Sequence, residues 1–540
     1  MADVKESLWS PLRSRIFVAV WVASIASNIG TWVQSVGEKW QMAHLTTSPL
    51  LVALIETGTT LPVLLLGLAA GAFADIVDRR RLLIATQVFM LVVAGALAGM
   101  TFVHMITPAV LLTMSLLIGI GSALSMPAFQ AIIPELLPRK DLTSGVALNS
   151  AGFNLSRAIG PAIGGAIVGW LGAGWAFALN AASFLAVVSV LLNWKRQIVS
   201  ADLPTERFLG ALKVGFRYAR HSSEFRVLLF RTLGYVWFSG VIFSLLPALA
   251  IHDLHLSSAA FGLLMGCTGA GAVLATFTMP RIRNRYSANQ LLAAFTLLAV
   301  FAQSMIAFVP HAGVVAVALF LSGMSWMAIL TTINTAIQLS VPSWVKARAF
   351  GSYHMVWGGS MALGAAFWGV VAQHAGLREA FALSAVGMLV TLFIIGRMRI
   401  TAFDREIDLS PHHDDPHPPS VIPMDAGPIL VQVEYRIPEE HRTAFLDAMR
   451  EVRVLRMRDG AMRWSLYEEP EQVHDGLIDF TESFLSASMG EHLRQHHRAT
   501  NADREVLSHA FHFDPAGKPR TRHLVAVGDE DQSIMQRILH

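Results

Sequence analysis

Twelve stretches of this chain are apolar over about 20 residues or more, the length a helix needs to cross a hydrocarbon core. They lie at 16–44, 50–73, 82–103, 108–131, 143–170, 175–194, 228–251, 258–279, 290–309, 312–338, 349–374 and 378–397. Hydrocarbon offers a backbone no hydrogen-bond partner, so each run is expected to satisfy its own amides as a helix. Only 15% of residues are charged, against about 25% in soluble domains. The expected fold is an all-α membrane protein of twelve transmembrane helices in two six-helix bundles, with a small α+β domain after them.

Lysines and arginines set the orientation. With the amino terminus inside, the inner connections hold Arg79 to Arg81, Arg139, Lys140, Lys195 to Arg226, Arg281 to Arg285, Lys346 and Arg348. The outer connections hold almost none beyond Arg378. Basic loops stay in the cytoplasm, which predicts a multi-pass protein of a plasma membrane with both termini cytoplasmic. The stretch Met1 to Arg15 lacks a signal-cleavage pattern, so the first run is read as a retained span. Residues 1–194 form the first bundle, 195–227 an amphipathic cytoplasmic linker with Phe208, Leu212, Val214, Phe216 and Tyr218 among basic residues, and 228–400 the second bundle. The lone Cys267 sits in an apolar run, which excludes an internal disulfide and suggests no redox chemistry.

Polar residues within the spans mark the candidate sites. Gly71 and Asp75 are one helical turn apart, followed by Arg79, Arg80 and Arg81, a charged hinge that could latch rigid parts together and release them; Glu135, at the inner end of span four, is a candidate ionic partner. In span one Ser24, Ser27, Thr31, Gln34, Glu38 and Gln41 recur every three or four residues, a polar stripe that belongs against a cavity or another helix. Glu38 beside Lys39 is either an interfacial residue or part of that stripe. Glu56 lies nearer mid-membrane, where an ionised side chain costs about 2.5 to 3.5 kcal/mol, and is read as protonatable or paired. Span five carries Asn154, Arg157, and then Gly160, Pro161, Gly164 and Gly165: close helix packing and a bend. A buried Arg157 requires an acidic partner, with Glu56 one candidate, or an anionic substrate. In span eleven His354 could titrate or satisfy a neighbouring backbone, and Trp357 could stack on a substrate or simply pack.

These residues carry a resemblance. Gly71, Asp75, Arg79 and Arg80 match the loop signature after the second helix of the major facilitator superfamily, with Ile76 and Asp78 departing from its usual basic residue and glycine. Gly160, Pro161, Gly164 and Gly165 resemble the Gly-Pro-x-x-Gly-Gly signature of exporters in that superfamily, Ser156 replacing an earlier glycine. Pro127-Ala-Phe-Gln, Pro134-Glu-Leu-Leu-Pro, Ala147-Leu-Asn-Ser and Asn154 to Gly165 resemble the transmembrane secretion effector branch, to which enterobactin-type siderophore exporters are related, and Leu179-Asn180-Ala-Ala-Ser183-Phe continues the likeness. The resemblance implies the major facilitator fold in a bacterial inner membrane and outward transport.

After span twelve the composition changes. Asp408 to Pro423, within 401–426, is a polar linker whose His412, His413 and His417 lack a preformed metal geometry. From 427 to 540, Ile429, Val431, Val433 and Tyr435 alternate as a half-buried strand, Phe445, Ala448, Met449 and Val452 follow at helical spacing, and further segments complete a β-α-β-β-α-β ferredoxin-like order. This tail resembles the carboxy-terminal extension of the same branch, in Arg458-Asp-Gly-Ala-Met-Arg-Trp464 and Glu491 to Arg498, and folds like it resemble small monooxygenases. His492, His496 and His497 are read as a solvated helix face. Regulation or homodimerisation through the tail is favoured over catalysis, and no cofactor, metal site or nucleic-acid partner is expected. The reading is a transporter rather than an enzyme, exporting a small amphipathic or anionic molecule such as a drug, siderophore or secondary metabolite in exchange for protons. Its rivals are a membrane-tethered enzyme with a catalytic tail and a transport-dead sensor or scaffold.

Overall fold

The computed structural model describes residues 9–138, 141–194, 218–342, 345–398, 400, 426–474, 476–498, 501–517 and 519–526. Two compact units emerge: Met1–Phe208, Val227–Ala336 and Gly351–Ile400 form one, and Leu209–Arg226, Ile337–Phe350 and Thr401–His540 the other. The linker Asp408 to Pro423, most of the amphipathic segment, Arg139 and Lys140 fall outside the described residues, as do the surroundings of Gly71 and the side chains of Asp75, His496 and His497.

Each apolar run coincides with one helix: α1 Arg15–Leu45, α2 Pro49–Ile76, α3 Arg79–Phe102, α4 Pro108–Leu136, α5 Leu142–Leu171, α6 Ala173–Asn193, α7 Ser223–Ala248, α8 Ser258–Arg283, α9 Ala288–Phe308, α10 Ala312–Ser340, α11 Lys346–Ala375 and α12 Leu377–Ile395. Among the described residues 11 helices are long and apolar enough to span a membrane, and α5 is not one of them. Its 30 residues would suffice in length at about 1.5 Å each. Asn154, Arg157 and its many glycines lower its apolarity.

Local chemistry fixes the helix ends. Ser14, Asp78, Thr107, Ser257 and Ser287 each accept a backbone N–H of the following first turn, and Ser287 with Gln290 closes a capping box. The joints α5–α6 and α11–α12 are each a single glycine in the left-handed region, Gly172 at φ 92° and Gly376 at φ 111°. The same kind of joint thus precedes α6 and α12.

In the first half α1 packs on α5 and α6, α2 on α4, and α3 on α4 and α6. One buried cluster joins Phe17, Leu83, Ile132, Leu148 and Leu191 near the Arg79 end; a second joins Met42, Ile55, Leu97, Leu111 and Phe177 at the other. The halves meet at that second end. There Ser48 Oγ donates to Gln373 Oε1 at 2.6 Å, Thr57 Oγ1 donates to the Ala362 carbonyl at 2.8 Å, and Trp40 stacks on Phe261 at 5.7 Å. Along α5 and α8 the backbones touch, so that a Cβ added at Gly165 would strike Gly262 and one at Gly269 would strike Ala158.

The other unit contains a four-stranded antiparallel sheet: β1 Ile429–Pro438, then helix α13 Arg442–Asp459, β2 Arg463–His474, β3 Leu477–Ser486, helices α14 Met489–Arg498 and α15 Asn501–Phe511, and β4 Arg520–Val525. The strand order is β2-β3-β1-β4, with Val433 opposite Glu482 and Gln432 opposite Arg522. The alternation in β1 places Ile429, Val431, Val433, Tyr435 and Ile437 on the inner face, against Phe445, Met449 and Val452 of α13. The segment after β3 forms two helices where one was expected.

Candidate functional site

In the apolar first half a charge cluster lies on the neighbouring helices α1 and α2. Glu38 and Lys39 of α1 are 1% and 3% exposed, so neither lies at a solvated interface. Lys39 Nζ pairs with Glu56 Oε2 of α2 at 2.6 Å, and Glu38 lies within electrostatic reach of both. Two acidic side chains thus lie near one ammonium, which is paired with one of them. The cluster's hydrogen bonds run one way. Asn180 Nδ2 donates to Gln34 Oε1 at 2.5 Å and Gln34 Nε2 donates to Glu38 Oε1 at 2.6 Å, while the Ser183 hydroxyl donates to the Asn180 carbonyl at 2.7 Å with Asn180 Oδ1 at 3.1 Å. The spacing of Gln34 and Glu38, one turn apart, makes this alignment possible. The amide chain ends on the Glu38 carboxylate, which accepts from Gln34.

Arg157 takes no acidic partner among the described residues, and Glu56, one candidate, is held by Lys39. Its guanidinium stands 5.4 Å from the Trp326 ring and 5.9 Å from those of Trp32 and Phe243, with ring faces in place of a counter-ion. Trp32 belongs to the first half and Phe243 and Trp326 to the second, so the arginine stands where the halves meet.

At the opposite end from the Ser48 seam, Arg79 Nη1 pairs with Glu135 Oε1 at 3.0 Å, tying the start of α3 to α4. Arg80 donates to the carbonyls of Leu191 and Leu192 at 2.7 and 2.8 Å, closing the C-terminal end of α6, where a cation also meets the negative end of the helix dipole. Both contacts lie within the first half. Gly160 abuts Trp32 and Gly164 abuts Val33, so with Gly165 these glycines set α5 against α1 on one side and α8 on the other. Asn154 donates to the Ser150 carbonyl of its own helix. His354 lies 5.2 Å from the Tyr353 ring, and Trp357 is half-buried on the same helix; neither joins the charge cluster or the rings around Arg157.

Sequence reasoning passed over Lys39 as a functional residue, and over Trp32, Phe243 and Trp326. A stripe on one helix reports that helix's own face, and nothing local in α7 or α10 points to a cation on α5. In the other unit, among the described residues no cluster of three or more metal-ligating side chains occurs. His492 Nε2 and His523 Nε2 share a hydrogen bond at 2.8 Å, which places His492 inside the domain instead of on a solvated face.

A family model described as transmembrane secretion effector matches residues 6–531. The staphyloferrin A transporter of Staphylococcus aureus is 25% identical over 67% of this chain and 90% of its own length. The multidrug efflux pump Tap of Mycolicibacterium fortuitum is 25% identical over 72% and 96%, and the enterobactin exporter EntS of Salmonella typhi is 24% identical over 71% and 93%. Among solved structures, a bacterial homologue of the human lysosomal transporter Spinster matches with a TM-score of 0.58 at 16% identity, covering 75% of this chain and all of that one. The nucleoside transporter NupG matches with a TM-score of 0.53, covering 71% and 99%.

Proposed function

The chain belongs to the transmembrane secretion effector family of major facilitator transporters, and from that premise we propose that it exports a small amphipathic or anionic molecule in exchange for protons. It is a multi-pass membrane protein in a family of bacterial inner-membrane transporters, and its named relatives move siderophores or drugs. In this reading α5 is a twelfth span, shielded from lipid by α1 and α8 where Arg157 lies. The arginine-rich loops face the cytoplasm. The seam at Ser48, Thr57 and Gly165 then closes the outer side, and the substrate loads from within. Rocking of the two halves would part that seam and deliver the substrate outward.

The observation behind the proton-coupling proposal is a buried Glu38 beside a buried Lys39 that is already paired with Glu56. Charge at that depth is costly, and a proton entering the cluster changes the balance between Glu38, Lys39 and Glu56 that holds α1 to α2. A membrane potential supplies about 2.3 kcal/mol per charge per 100 mV, enough to support an outward gradient. The test is efflux of naphthalene-2-sulfonate, a permanently charged fluorescent anion, from right-side-out reconstituted vesicles given an external acid pulse. The pulse accelerates efflux in the unmodified protein, and Glu38→Gln with Glu56→Gln uncouples efflux from the pulse. Equal acceleration in both variants contradicts the assignment.

A further inference from the structure

Around Arg157 the bundle holds two more donors without acceptors. Tyr235 of α7 and Trp326 of α10 are 5% and 3% exposed, and among the described residues neither the Tyr235 hydroxyl nor the Trp326 Nε1 has a hydrogen-bond partner. Their rings are 5.9 Å apart, Phe243 meets Trp326 edge-on at 4.9 Å, and Tyr235 lies within electrostatic reach of Arg157. Arg157 itself is partly exposed. Guanidinium and indole N–H groups can only donate, and a phenol can do so. Three unmet donors, one of them charged, call for an acceptor that brings negative charge.

We infer that Arg157, Tyr235 and Trp326 form an oxyanion-recognition box, walled by Trp32 and Phe243, that takes the carboxylate or sulfonate of an organic acid with an aromatic or apolar body. Ring faces hold the guanidinium from the sides and leave its N–H edges for the anion, a geometry that an ammonium in its place does not reproduce. The aromatic walls also favour an apolar body over a small inorganic ion. Because α1 and α5 belong to one half and α7 and α10 to the other, an occupant touches both halves and is released when they separate. This assignment rests on the exporter reading for its physiological use, but the binding itself requires no gradient.

The test is calorimetric binding to the full chain in phosphatidylcholine nanodiscs, with naphthalene-2-sulfonate compared against the neutral naphthalene-2-sulfonamide. The sulfonate binds about tenfold or more tightly than the amide, as a hydrogen-bonded charge pair requires. Arg157→Gln and Arg157→Lys both reduce that preference, Lys less than Gln. Tyr235→Phe and Trp326→Phe, which keep the rings and remove one donor each, lower sulfonate affinity by about threefold to tenfold; they carry the test should Arg157→Gln fail to fold. Equal affinity for the two probes, absent sulfonate binding, or unchanged preference in the donor-deleting variants overturns the box. Loss of sulfonate binding when phosphatidylglycerol is added reassigns the site to a lipid headgroup and equally overturns it. Binding without acid-driven efflux refutes the exporter reading alone, and efflux without charge preference refutes the box alone.

Discussion

The two units treat buried charge in opposite ways. In the carboxy-terminal domain every strongly buried acid is surrounded: Glu482, fully buried, accepts from Arg456 Nε at 3.0 Å, Trp464 Nε1 at 2.9 Å and the Tyr435 hydroxyl at 2.9 Å. Burial and the Glu482 carboxylate together push the Tyr435 phenol well above its ordinary range. Arg458 is held by Asp459 and Asp503, both at 2.7 Å; burial opposes its charge, and the two acids more than restore it. In the helical bundle Arg157 has only ring faces, and Lys39 is paired with one of the two acidic side chains near it. Complete pairing holds a structure in one state. Incomplete pairing leaves a place for something that comes and goes, a proton in one case and an anion in the other in the account proposed above.

Removing charge in the two units should therefore have different consequences. The largest effect is expected from Glu482→Leu, which strands Arg456 in the domain core and lowers the opening free energy of β3 by about 3 to 5 kcal/mol, read by hydrogen exchange in the full chain. Sulfonate binding by the same variant should be unaltered; a parallel loss would erase the distinction between the units. Lys39→Met comes next. It leaves Glu56 without its counter-ion, but that carboxylate escapes part of the penalty by taking a proton, so the bundle's melting temperature falls modestly while acid-driven efflux is lost. Arg157→Leu removes a charge that has no acid, and is expected to be neutral or slightly stabilising in thermal unfolding while abolishing the sulfonate preference. Destabilisation there on the scale of Glu482→Leu would mean Arg157 is a structural residue.

The smallest effect concerns an exposed pair. The Arg442 hydrogen bonds, at 2.8 and 3.1 Å, hold the Glu468 carboxyl below its ordinary value, with the arginine's charge acting in the same direction. A lowered folded-state value means that the contribution is complete above the ordinary glutamate value of about 4.3 and is lost as pH falls through the lower folded value. Arg442→Ala should flatten that acid-side dependence by removing the small contribution present above it, so exchange of β2 quickens slightly at neutral pH and is unchanged in acid below the folded-state value.

How much of this was legible depends on how far each residue's information extends. The helices could be read because apolar runs of membrane length have one solution, and the sheet because β1 alternates with a period of two. Gln34 and Glu38 were legible as one face of α1. The Lys39–Glu56 pair was not, since a lysine beside a glutamate reads equally as an interface. Arg157 stood out as a cation in a span, yet its surroundings come from α1, α7 and α10, and no spacing within α5 encodes them. His492 carried a misleading signal: a helix rich in polar residues reads as solvated, while its packing against β4 depends on a partner, His523, 31 residues away.

Alternation of access is best tested with single reporter cysteines in a Cys267→Ser background, one at Thr57 in the seam between the halves and one at Asn149 toward the other end of α5. Alkylation rates at the two sites should move in opposite directions as pH is lowered, and Glu38→Gln with Glu56→Gln should abolish that dependence. Rates that stay constant, or that rise and fall together, would contradict a bundle that opens to its two sides in turn under control of its buried carboxylates.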